Sequence, residues 1–167
     1  PGRDIVGIEV PNSEISLVAL RTVLESDSFR SIKGPLPIAL GQDVAGNAIA
    51  TDLASMPHLL IAGATGSGKS VCLNAMLLCI LFKATPDEVR MILIDPKVVE
   101  LSAYNGIPHL LAPVVTDPKK ASNTLNWCVL EMTKRYALFA ERGVRDLSAF
   151  NAQAATDGYE RLPLILI

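Results

Sequence analysis

Gly63-Ala64-Thr65-Gly66-Ser67-Gly68-Lys69-Ser70 is the stretch that decides the fold of this chain. It fits the phosphate-binding pattern G-x-x-x-x-G-K-[ST], and residues 63–70 are termed the phosphate loop below. The apolar residues 59–62 before it are typical of a buried strand. Residues 71–82 after it, apolar except for Asn74, are typical of a buried helix. A strand, a glycine-rich turn and a helix together indicate a triphosphate site rather than a turn that binds nothing.

The residue types in the loop suit the chemistry of bound Mg·ATP. The three glycines can adopt positive φ and let the backbone approach the phosphates, while amide N–H groups and the positive end of the helix face the anion. The predicted nucleotide-binding residues are Gly63, Ala64, Thr65, Gly66, Ser67, Gly68, Lys69, Ser70 and Val71. Lys69 is predicted to reach the β- and γ-phosphates as the catalytic residue, and the Ser70 hydroxyl to bind Mg²⁺.

Length and composition limit the class of protein. With 167 residues, half of them hydrophobic, the chain is about one domain long and can bury a core. A net charge of −2 gives no sign of a general nucleic-acid surface, so any DNA contact is expected to be local. Residues 71–82 are too few for a membrane span, which needs ~20 residues, so we expect no membrane contact from this chain. Cys72, Cys79 and Cys128 have no metal-ligand spacing, which predicts reduced core thiols and no zinc site.

The first half of the chain leads into the phosphate loop. Residues 5–10 alternate weakly as a strand, residues 15–24 are apolar enough to pack on the core, and residues 26–35 are polar enough for a linker. Residues 38–40 and 48–50 predict a β-hairpin with its turn near Gly46-Asn47.

The second half alternates predicted strands and helices. In chain order these are a capping-box helix start at residues 85–88, a buried strand at 91–94, one or two helical turns within 98–104, a long helix from Asp117-Pro118 to Gly143, a helix from about 147 to 155 capped by Asp146, and a buried strand at 164–167. The long helix carries a continuous apolar face formed by Ala121, Leu125, Cys128, Met132, Tyr136 and Phe139. Buried strands alternating with helices predict an α/β fold with a mainly parallel sheet covered by helices on both faces.

A further set of segments, spread over nearly the whole chain, carries a family resemblance. These segments are residues 56–63, Ile94-Asp95-Pro96-Lys97, Glu100-Leu101-Ser102 with Tyr104, residues 106–111, residues 114–117, Trp127, Glu131-Met132, Arg135-Tyr136 and Gly143-Val144-Arg145. They resemble the FtsK/SpoIIIE family of DNA translocases, and residues 95–117 are far more specific for it than the phosphate loop.

The resemblance implies a function and an organisation. It implies a P-loop NTPase of RecA-like fold that uses ATP and Mg²⁺ to pump double-stranded DNA in chromosome segregation and cell division, as a homo-hexameric ring. Residues 36–167 would be part of the motor domain, and residues 1–35 a lead-in or linker from a preceding domain. This portion would be cytoplasmic, and the full-length protein would be anchored at the bacterial inner membrane.

One departure from the family pattern concerns catalysis. The family's second nucleotide motif is an apolar strand ending in Asp-Glu, where the Asp serves the Mg²⁺ shell and the Glu activates water. Residues 164–167 are where that motif begins, so we expect both acids beyond Ile167 and the chain to be truncated before the second motif. The 167-residue chain alone is therefore expected to lack the catalytic Glu.

Several residues have alternative interpretations. Asp95 ends an apolar run and is a weaker candidate for the metal-site acid, because Pro96 stands where the catalytic Glu would be. Glu100 is a still weaker candidate for a general base. An arginine finger is expected at Arg135, Arg142, Arg145 or Arg161, or downstream.

The remaining candidates have structural interpretations. We expect His58 and His109 to form hydrogen bonds at the sheet edge, Lys119-Lys120 to be solvated rather than bound to DNA or a neighbouring subunit, and Trp127 and Tyr136 to be core residues. Alternative functions are a conjugative or protein-secretion ATPase of the same superfamily, a nucleotide-binding switch or assembly module, and a small-molecule kinase. The chain by itself is expected to bind DNA weakly.

Overall fold

The computed structural model describes residues 8, 10, 17–56 and 58–167. Its helices are α1 (Leu20–Leu24), α2 (Asp27–Arg30), α3 (Lys69–Lys83), α4 (Pro118–Glu141) and α5 (Leu147–Asp157), and its strands are β1 (Pro37–Gln42), β2 (Ala48–Asp52), β3 (Val89–Met91) and β4 (Leu164–Leu166). Short 3-10 turns occur at Leu53–Ser55 and Ser102–Tyr104. The weak strand predicted over residues 5–10 lies outside the described residues, except for residues 8 and 10.

Strands β1 and β2 form the predicted antiparallel hairpin, which confirms this part of the sequence analysis. A bulge next to Gly41 shifts the register. The Asp43 carboxylate closes the turn by accepting hydrogen bonds from the backbone N–H groups of Ala45 and Asn47. Gly46 has φ of 84°, a left-handed conformation that glycine adopts without a Cβ penalty.

Helix α3 supplies the centre of the main core. Leu77 and Ile80 from this helix pack with Ile38 of β1 and Met91 of β3, and Ile38, Ile80 and Met91 are fully buried. The helix predicted over residues 71–82 is confirmed, but its predicted burial holds for one face only, since the Phe82 side chain on another face is 76% exposed. The apolar run predicts that a helix forms, but other elements pack against only one face of that helix.

The segment before the hairpin is packed on the core. Val23 of α1 and Phe29 of α2 are buried together with Ala39 and Cys79. The prediction that residues 15–24 pack on the core is confirmed for α1. The linker predicted for residues 26–35 is wrong for α2, because the buried Phe29 ring anchors it. The domain boundary at residue 35 stays a prediction.

Strand β3 is central in a small parallel arrangement. It pairs with β4 in parallel over the full length of both strands. On its other side, isolated parallel bridges join Met91 to Leu110 and Ile94 to Val115. The predicted parallel pairing is therefore confirmed, although the two sheets of the described chain have two strands each. Strand β4 is half-buried along its length, so its predicted burial is wrong.

Residues 59–62 do not form the predicted buried strand. Their backbone is irregular, and the Leu60 side chain is 90% exposed. A strand exists only where neighbouring backbone groups complete its hydrogen-bond ladder. Within the described part of the chain, no strand pairs with this segment. The apolar composition of residues 59–62 suits a strand, but among the described residues there is no pairing that would complete one.

Helices α4 and α5 begin and end close to the predicted residues. The Asp117 carboxylate caps α4 by accepting from the Lys120 N–H, and the Asp146 carboxylate caps α5 in the same way. The capping-box pair Thr85 and Glu88 is also formed. It closes a single turn rather than a helix, because the chain enters β3 at the next residue.

The predicted apolar face of α4 is largely exposed. Phe139 is buried, whereas Trp127 is 44% and Tyr136 60% exposed, so their assignment to the core is wrong. Part of this face lines an open groove of about 450 Å³ between α4, the start of α5 and β4. Helical periodicity predicts which side chains share a face, but not whether another element covers that face.

Candidate nucleotide-binding site

The phosphate loop has the backbone conformation that its glycines allow. Gly66 has φ of 81° and Gly68 has φ of 90°, both in the left-handed region that other residues rarely adopt. Gly63 was named with them as able to adopt positive φ, but its φ is not positive. A Cβ at Gly63 would collide with the Ser67 Oγ, so a larger residue there would force the Ser67 side chain to move.

The loop delivers the chain into the N-terminus of α3. Gly68 is the cap residue, Lys69 and Ser70 are the first two helical residues, and no side chain caps this end of the helix. The first N–H groups of a helix have no partner within it, and the helix dipole places partial positive charge there. The Lys69 side chain, which is half exposed, adds a full positive charge. This end of α3 is therefore suited to an anion such as a phosphate.

Glu100 lies against both functional side chains of the loop. The Ser70 hydroxyl donates to Glu100 Oε1 at 2.6 Å, and the same oxygen lies 3.7 Å from Lys69 Nζ. Thirty residues separate Ser70 from Glu100, so local sequence pattern does not reveal this contact. All three residues were predicted as candidate site residues, but their contact with one another was not predicted.

Asp95 organises the segment that carries Glu100. Its carboxylate accepts five backbone hydrogen bonds, at distances of 2.9 to 3.3 Å, from the N–H groups of Lys97, Val98, Val99, Glu100 and Leu101. The bonds from Leu101 and Glu100 contribute most and hold the pKa of Asp95 below its ordinary value, although burial opposes them. Both carboxylate oxygens are occupied in this way, so the structure does not support Asp95 as a metal-site acid. Asp95 fixes the backbone of residues 96–101 instead.

This arrangement of Asp95 predicts a specific acid sensitivity. The backbone hydrogen bonds lower the pKa of Asp95 in the folded chain from its ordinary value, so the unfolded chain binds the proton of this carboxyl more readily. The stability that Asp95 contributes is fully present above pH 3.8 and is lost as the pH falls through the lower folded pKa. We expect Asp95→Asn to be less stable than the wild type at pH 7, and to lose less stability on acidification through that window.

Urea unfolding midpoints measured from pH 7 down to pH 3 test this prediction. Asp87→Asn is the matched control, because Asp87 is exposed in the turn before β3. It is expected to reproduce the acid profile of the wild type. If Asp95→Asn has the same midpoint as the wild type at every pH, the backbone bonds to Asp95 do not stabilise the fold.

A second polar contact ties α3 to the same segment. The Asn74 amide donates to the Ser70 carbonyl at 2.8 Å and accepts from the Tyr104 hydroxyl at 2.6 Å. Burial raises the pKa of Tyr104, which keeps this hydroxyl protonated as a donor. In the sequence, Asn74 is the one polar residue in the apolar run of residues 71–82, and no contact was predicted for it. That interruption was the signal, because an amide that is partly buried among apolar side chains needs hydrogen-bond partners.

The structure separates the arginine-finger candidates. Arg135 bonds to Glu131 at 2.7 Å and to the Pro163 carbonyl at 2.6 Å, with its side chain only 15% exposed, so it joins α4 to the entry of β4. Arg142 lies over the ring of Tyr159. Arg145 and Arg161 are exposed and remain candidates, as a prediction.

The histidine and lysine predictions have different outcomes. The His109 ring is buried and its Nε2 lies 2.9 Å from the Ala84 carbonyl, which confirms a hydrogen-bonding role. His58 is exposed. Lys119 and Lys120 are exposed at the start of α4, as expected for a solvated face. Cys79 is the buried core thiol that was predicted, while Cys72 and Cys128 are partly buried.

Two properties of the described residues bear on partners. They contain no group of three or more His, Cys, Asp or Glu side chains that could hold a metal ion. Mg²⁺ typically uses one or two protein ligands together with waters and substrate phosphates rather than an all-protein cage. In the same part of the chain, no helix is both long and apolar enough to cross a bilayer.

A mixed α/β fold with this loop at the N-terminus of a helix defines the class of P-loop proteins. The sequence profile of the FtsK/SpoIIIE family matches residues 19–166. The chain therefore belongs to the FtsK/SpoIIIE family, which confirms the resemblance seen in the sequence.

Relatives of higher identity agree with this membership. The chain is 58% identical over 166 residues to "DNA translocase FtsK" of Caldanaerobacter subterraneus subsp. tengcongensis, covering 99% of the chain and 23% of that protein. It is 55% identical to "DNA translocase FtsK" of Clostridium acetobutylicum, covering 100% of the chain and 22% of that protein. It is also 53% identical to "DNA translocase SftA" of Bacillus subtilis, covering 100% of the chain and 18% of that protein. The chain spans about a fifth of the length of these relatives.

Two solved structures share the fold. The conjugation coupling protein TcpA of pCW3, in its monomer form with ATPγS, superposes with a TM-score of 0.60 at 27% identity, covering 84% of this chain and 37% of TcpA. The cytoplasmic domain of the type VII secretion ATPase EccC of Thermomonospora curvata gives a TM-score of 0.69 at 20% identity, covering 90% of this chain and 19% of that one. The likeness to EccC concerns the fold alone.

Proposed function

We propose that this chain is the nucleotide-binding portion of an ATP-driven motor that translocates double-stranded DNA. The observation that carries the proposal is the uncapped N-terminus of α3, which opens with Lys69 and Ser70 directly after the left-handed Gly68. Residues 63–71 bind the triphosphate through backbone N–H groups, and Lys69 contacts the β- and γ-phosphates. The solved complex of TcpA with ATPγS supports ATP as the nucleotide.

Mg²⁺ fits the donor set at this site. The Ser70 hydroxyl is an oxygen donor of the kind Mg²⁺ prefers, and the Glu100 carboxylate that accepts its proton adds negative charge beside it. When bound, the ion would neutralise phosphate charge during transfer of the γ-phosphoryl group to water. We place the metal-site Asp and the catalytic Glu of the family downstream of Ile167, since Asp95 is committed to backbone bonds.

The wider organisation follows the relatives. We propose a RecA-like motor domain over residues 36–167, with a parallel sheet covered by helices on both faces, working in a homo-hexameric ring around duplex DNA. Residues 1–35 connect it to a preceding domain, and the motor is cytoplasmic in a protein anchored at the bacterial inner membrane. The name "DNA translocase" carried by relatives at 53% to 58% identity supports DNA as the substrate.

The alternative of a conjugative or secretion ATPase receives less support. TcpA and EccC share the fold, but their identity to this chain is 27% and 20%, about half or less of that of the translocases. A translocase is therefore the favoured function.

A chimaeric translocase tests the proposal directly. In the chimaera, this chain replaces the matching 166 residues of the Caldanaerobacter protein, so that the rest of the motor is supplied by that relative. We expect ATP hydrolysis that is stimulated by duplex DNA, and displacement of a labelled strand from a triplex along the duplex. The matched control is the same chimaera with Lys69→Ala.

The outcomes separate the candidate functions. DNA-stimulated hydrolysis that is lost with Lys69→Ala supports the motor function. Hydrolysis that duplex DNA does not stimulate contradicts DNA translocation and favours a secretion ATPase. ATP binding without turnover favours a nucleotide-binding switch.

A further inference from the structure

Glu100 contacts the two side chains to which we assign phosphate and metal binding. Its Oε1 accepts the Ser70 hydroxyl at 2.6 Å and lies 3.7 Å from Lys69 Nζ. The Glu100 side chain is 27% exposed, so this charge is partly shielded from solvent. Partly buried charges are screened less by salt than fully exposed ones. The carboxylate is therefore close enough to influence a cation bound at Ser70.

The direction of the Ser70 hydrogen bond has a consequence for metal binding. A serine hydroxyl has one proton to donate and two lone pairs, whereas an ionised carboxylate only accepts. Ser70 therefore gives its proton to Glu100, and the lone pairs of its Oγ remain available to a cation. A partner that fixes a ligand in this way orients it and makes it a better donor to the metal.

The fold holds Glu100 in place from two sides. The backbone N–H of Glu100 donates to Asp95 at 2.9 Å, and Tyr104 reaches Asn74, which bonds to the Ser70 carbonyl. Between Asp95 and Glu100, Val98 has φ of 57°, an unfavourable conformation for a β-branched residue. Such a conformation persists only where surrounding contacts hold it in place. Here the contact is the hydrogen bond from the Val98 N–H to the Asp95 carboxylate.

We propose that Glu100 is a positioning residue for the Mg²⁺ of the bound nucleotide and acts through Ser70. This inference rests on the proposed function of the phosphate loop. It adds that the site selects ATP with bound Mg²⁺ over free ATP. It differs from the general-base role that the sequence analysis weighed for Glu100. Here the carboxylate acts on metal affinity and not on the attacking water.

The charge of Glu100 has opposite effects on two forms of the ligand. Free ATP brings negative phosphates towards the Glu100 carboxylate, and the two negative groups repel each other. The carboxylate also competes with the phosphates for the positive charge of Lys69. Mg·ATP brings a divalent cation beside the same carboxylate, where the attraction is favourable. Glu100 therefore makes the site select Mg·ATP over free ATP. Removing the charge of Glu100 therefore weakens the binding of Mg·ATP and strengthens the binding of free ATP.

Equilibrium binding of a fluorescent ATP analogue tests the inference, with EDTA and across a series of Mg²⁺ concentrations. For Glu100→Gln we expect the ratio of Kd without Mg²⁺ to Kd with Mg²⁺ to fall about tenfold, in line with the loss of an outer-shell partner of a metal ligand. The Mg²⁺ concentration at half-maximal enhancement should rise accordingly. A purely structural role would weaken both forms by the same factor.

Two controls make the result decisive. Glu141→Gln removes the same charge from an exposed position at the end of α4 and is expected to leave the ratio unchanged. Glu100→Ala removes the hydrogen bond as well as the charge, and its urea midpoint reports whether the fold is intact.

The failure of this inference can be distinguished from the failure of the proposed function. If the wild type binds the nucleotide, Lys69→Ala does not, and both Glu100 variants keep the wild-type ratio, the role of Glu100 is overturned while the proposed site stands. If the wild type binds no nucleotide at any Mg²⁺ concentration, both are overturned.

Discussion

Replacing Lys69 with alanine is expected to weaken ATP binding by about 100-fold or more, because it removes two bonds to charged phosphate oxygens worth roughly 1.5 kcal/mol each. Lys69 is half exposed and its only ion pair within the described chain is with Glu100, so its amine can turn to a phosphate at little cost. The measurement is the Kd of ATP in saturating Mg²⁺, by fluorescence or calorimetry.

Lys83→Ala is the matched control for this prediction. Lys83 ends the same helix, about 21 Å from Lys69 by the rise of an α-helix, and its side chain is exposed. The Lys83→Ala variant removes the same type of side chain and the same charge as Lys69→Ala. We expect its Kd for ATP to stay within about twofold of the wild-type value, which is a change in binding free energy well below about 1 kcal/mol. Equal losses in the two variants would mean that ATP binding depends on net charge and not on the phosphate loop.

Replacing Ile80 with alanine is expected to be the most damaging of these changes to stability, at about 2–5 kcal/mol. Ile80 is fully buried where α3 meets Ile38 of β1 and Met91 of β3, so the cavity would lie between all three elements. Natural domains have about 5–15 kcal/mol of stability, so this loss is a large part of the total. The measurement is the free energy of unfolding from urea titration.

Two variants calibrate the loss at Ile80. Ile80→Val removes one methyl group and is expected to cost about 0.5–1.5 kcal/mol. Phe82→Ala lies two residues further along α3, removes more atoms, and changes a side chain that is 76% exposed. It is expected to stay within about 0.5 kcal/mol of the wild type. If Phe82→Ala destabilised the chain as much as Ile80→Ala, the assignment of the buried face of α3 would be wrong.

Local features of the fold were predicted well because their causes lie within a few residues. Asp117 and Asp146 cap the helices they were expected to cap, and the turn at Gly46 closes the hairpin. Capping bonds and left-handed turns require particular side chains at fixed short spacings. These features can therefore be predicted from a few neighbouring residues of the sequence.

Errors arose where a pattern needed a distant partner. Residues 59–62 have the composition of a strand but no described strand beside them. Tyr136 has the spacing of a core residue on α4 but is 60% exposed. Composition and periodicity describe what a segment would do if it were paired or covered. They carry no information on whether the partner is there.

The candidate site shows the same division. The phosphate loop, Lys69 and Ser70 were found from eight consecutive residues. The contact of Glu100 with Ser70 and the bond of Tyr104 to Asn74 each join residues thirty positions apart in the sequence. The resemblance marked Glu100 and Tyr104 as part of a matching segment without indicating what they touch.

The sequence by itself determined the phosphate loop, the helix that follows it, the hairpin and the family, because each depends on residue types at short spacing. Only the tertiary structure decided that the Asp95 carboxylate accepts the backbone N–H groups of residues 97–101, and that Glu100 contacts Ser70 and Lys69. The physical reason is that a carboxylate has the same chemistry in every sequence position, and its role is set by the groups that the fold brings within hydrogen-bonding distance.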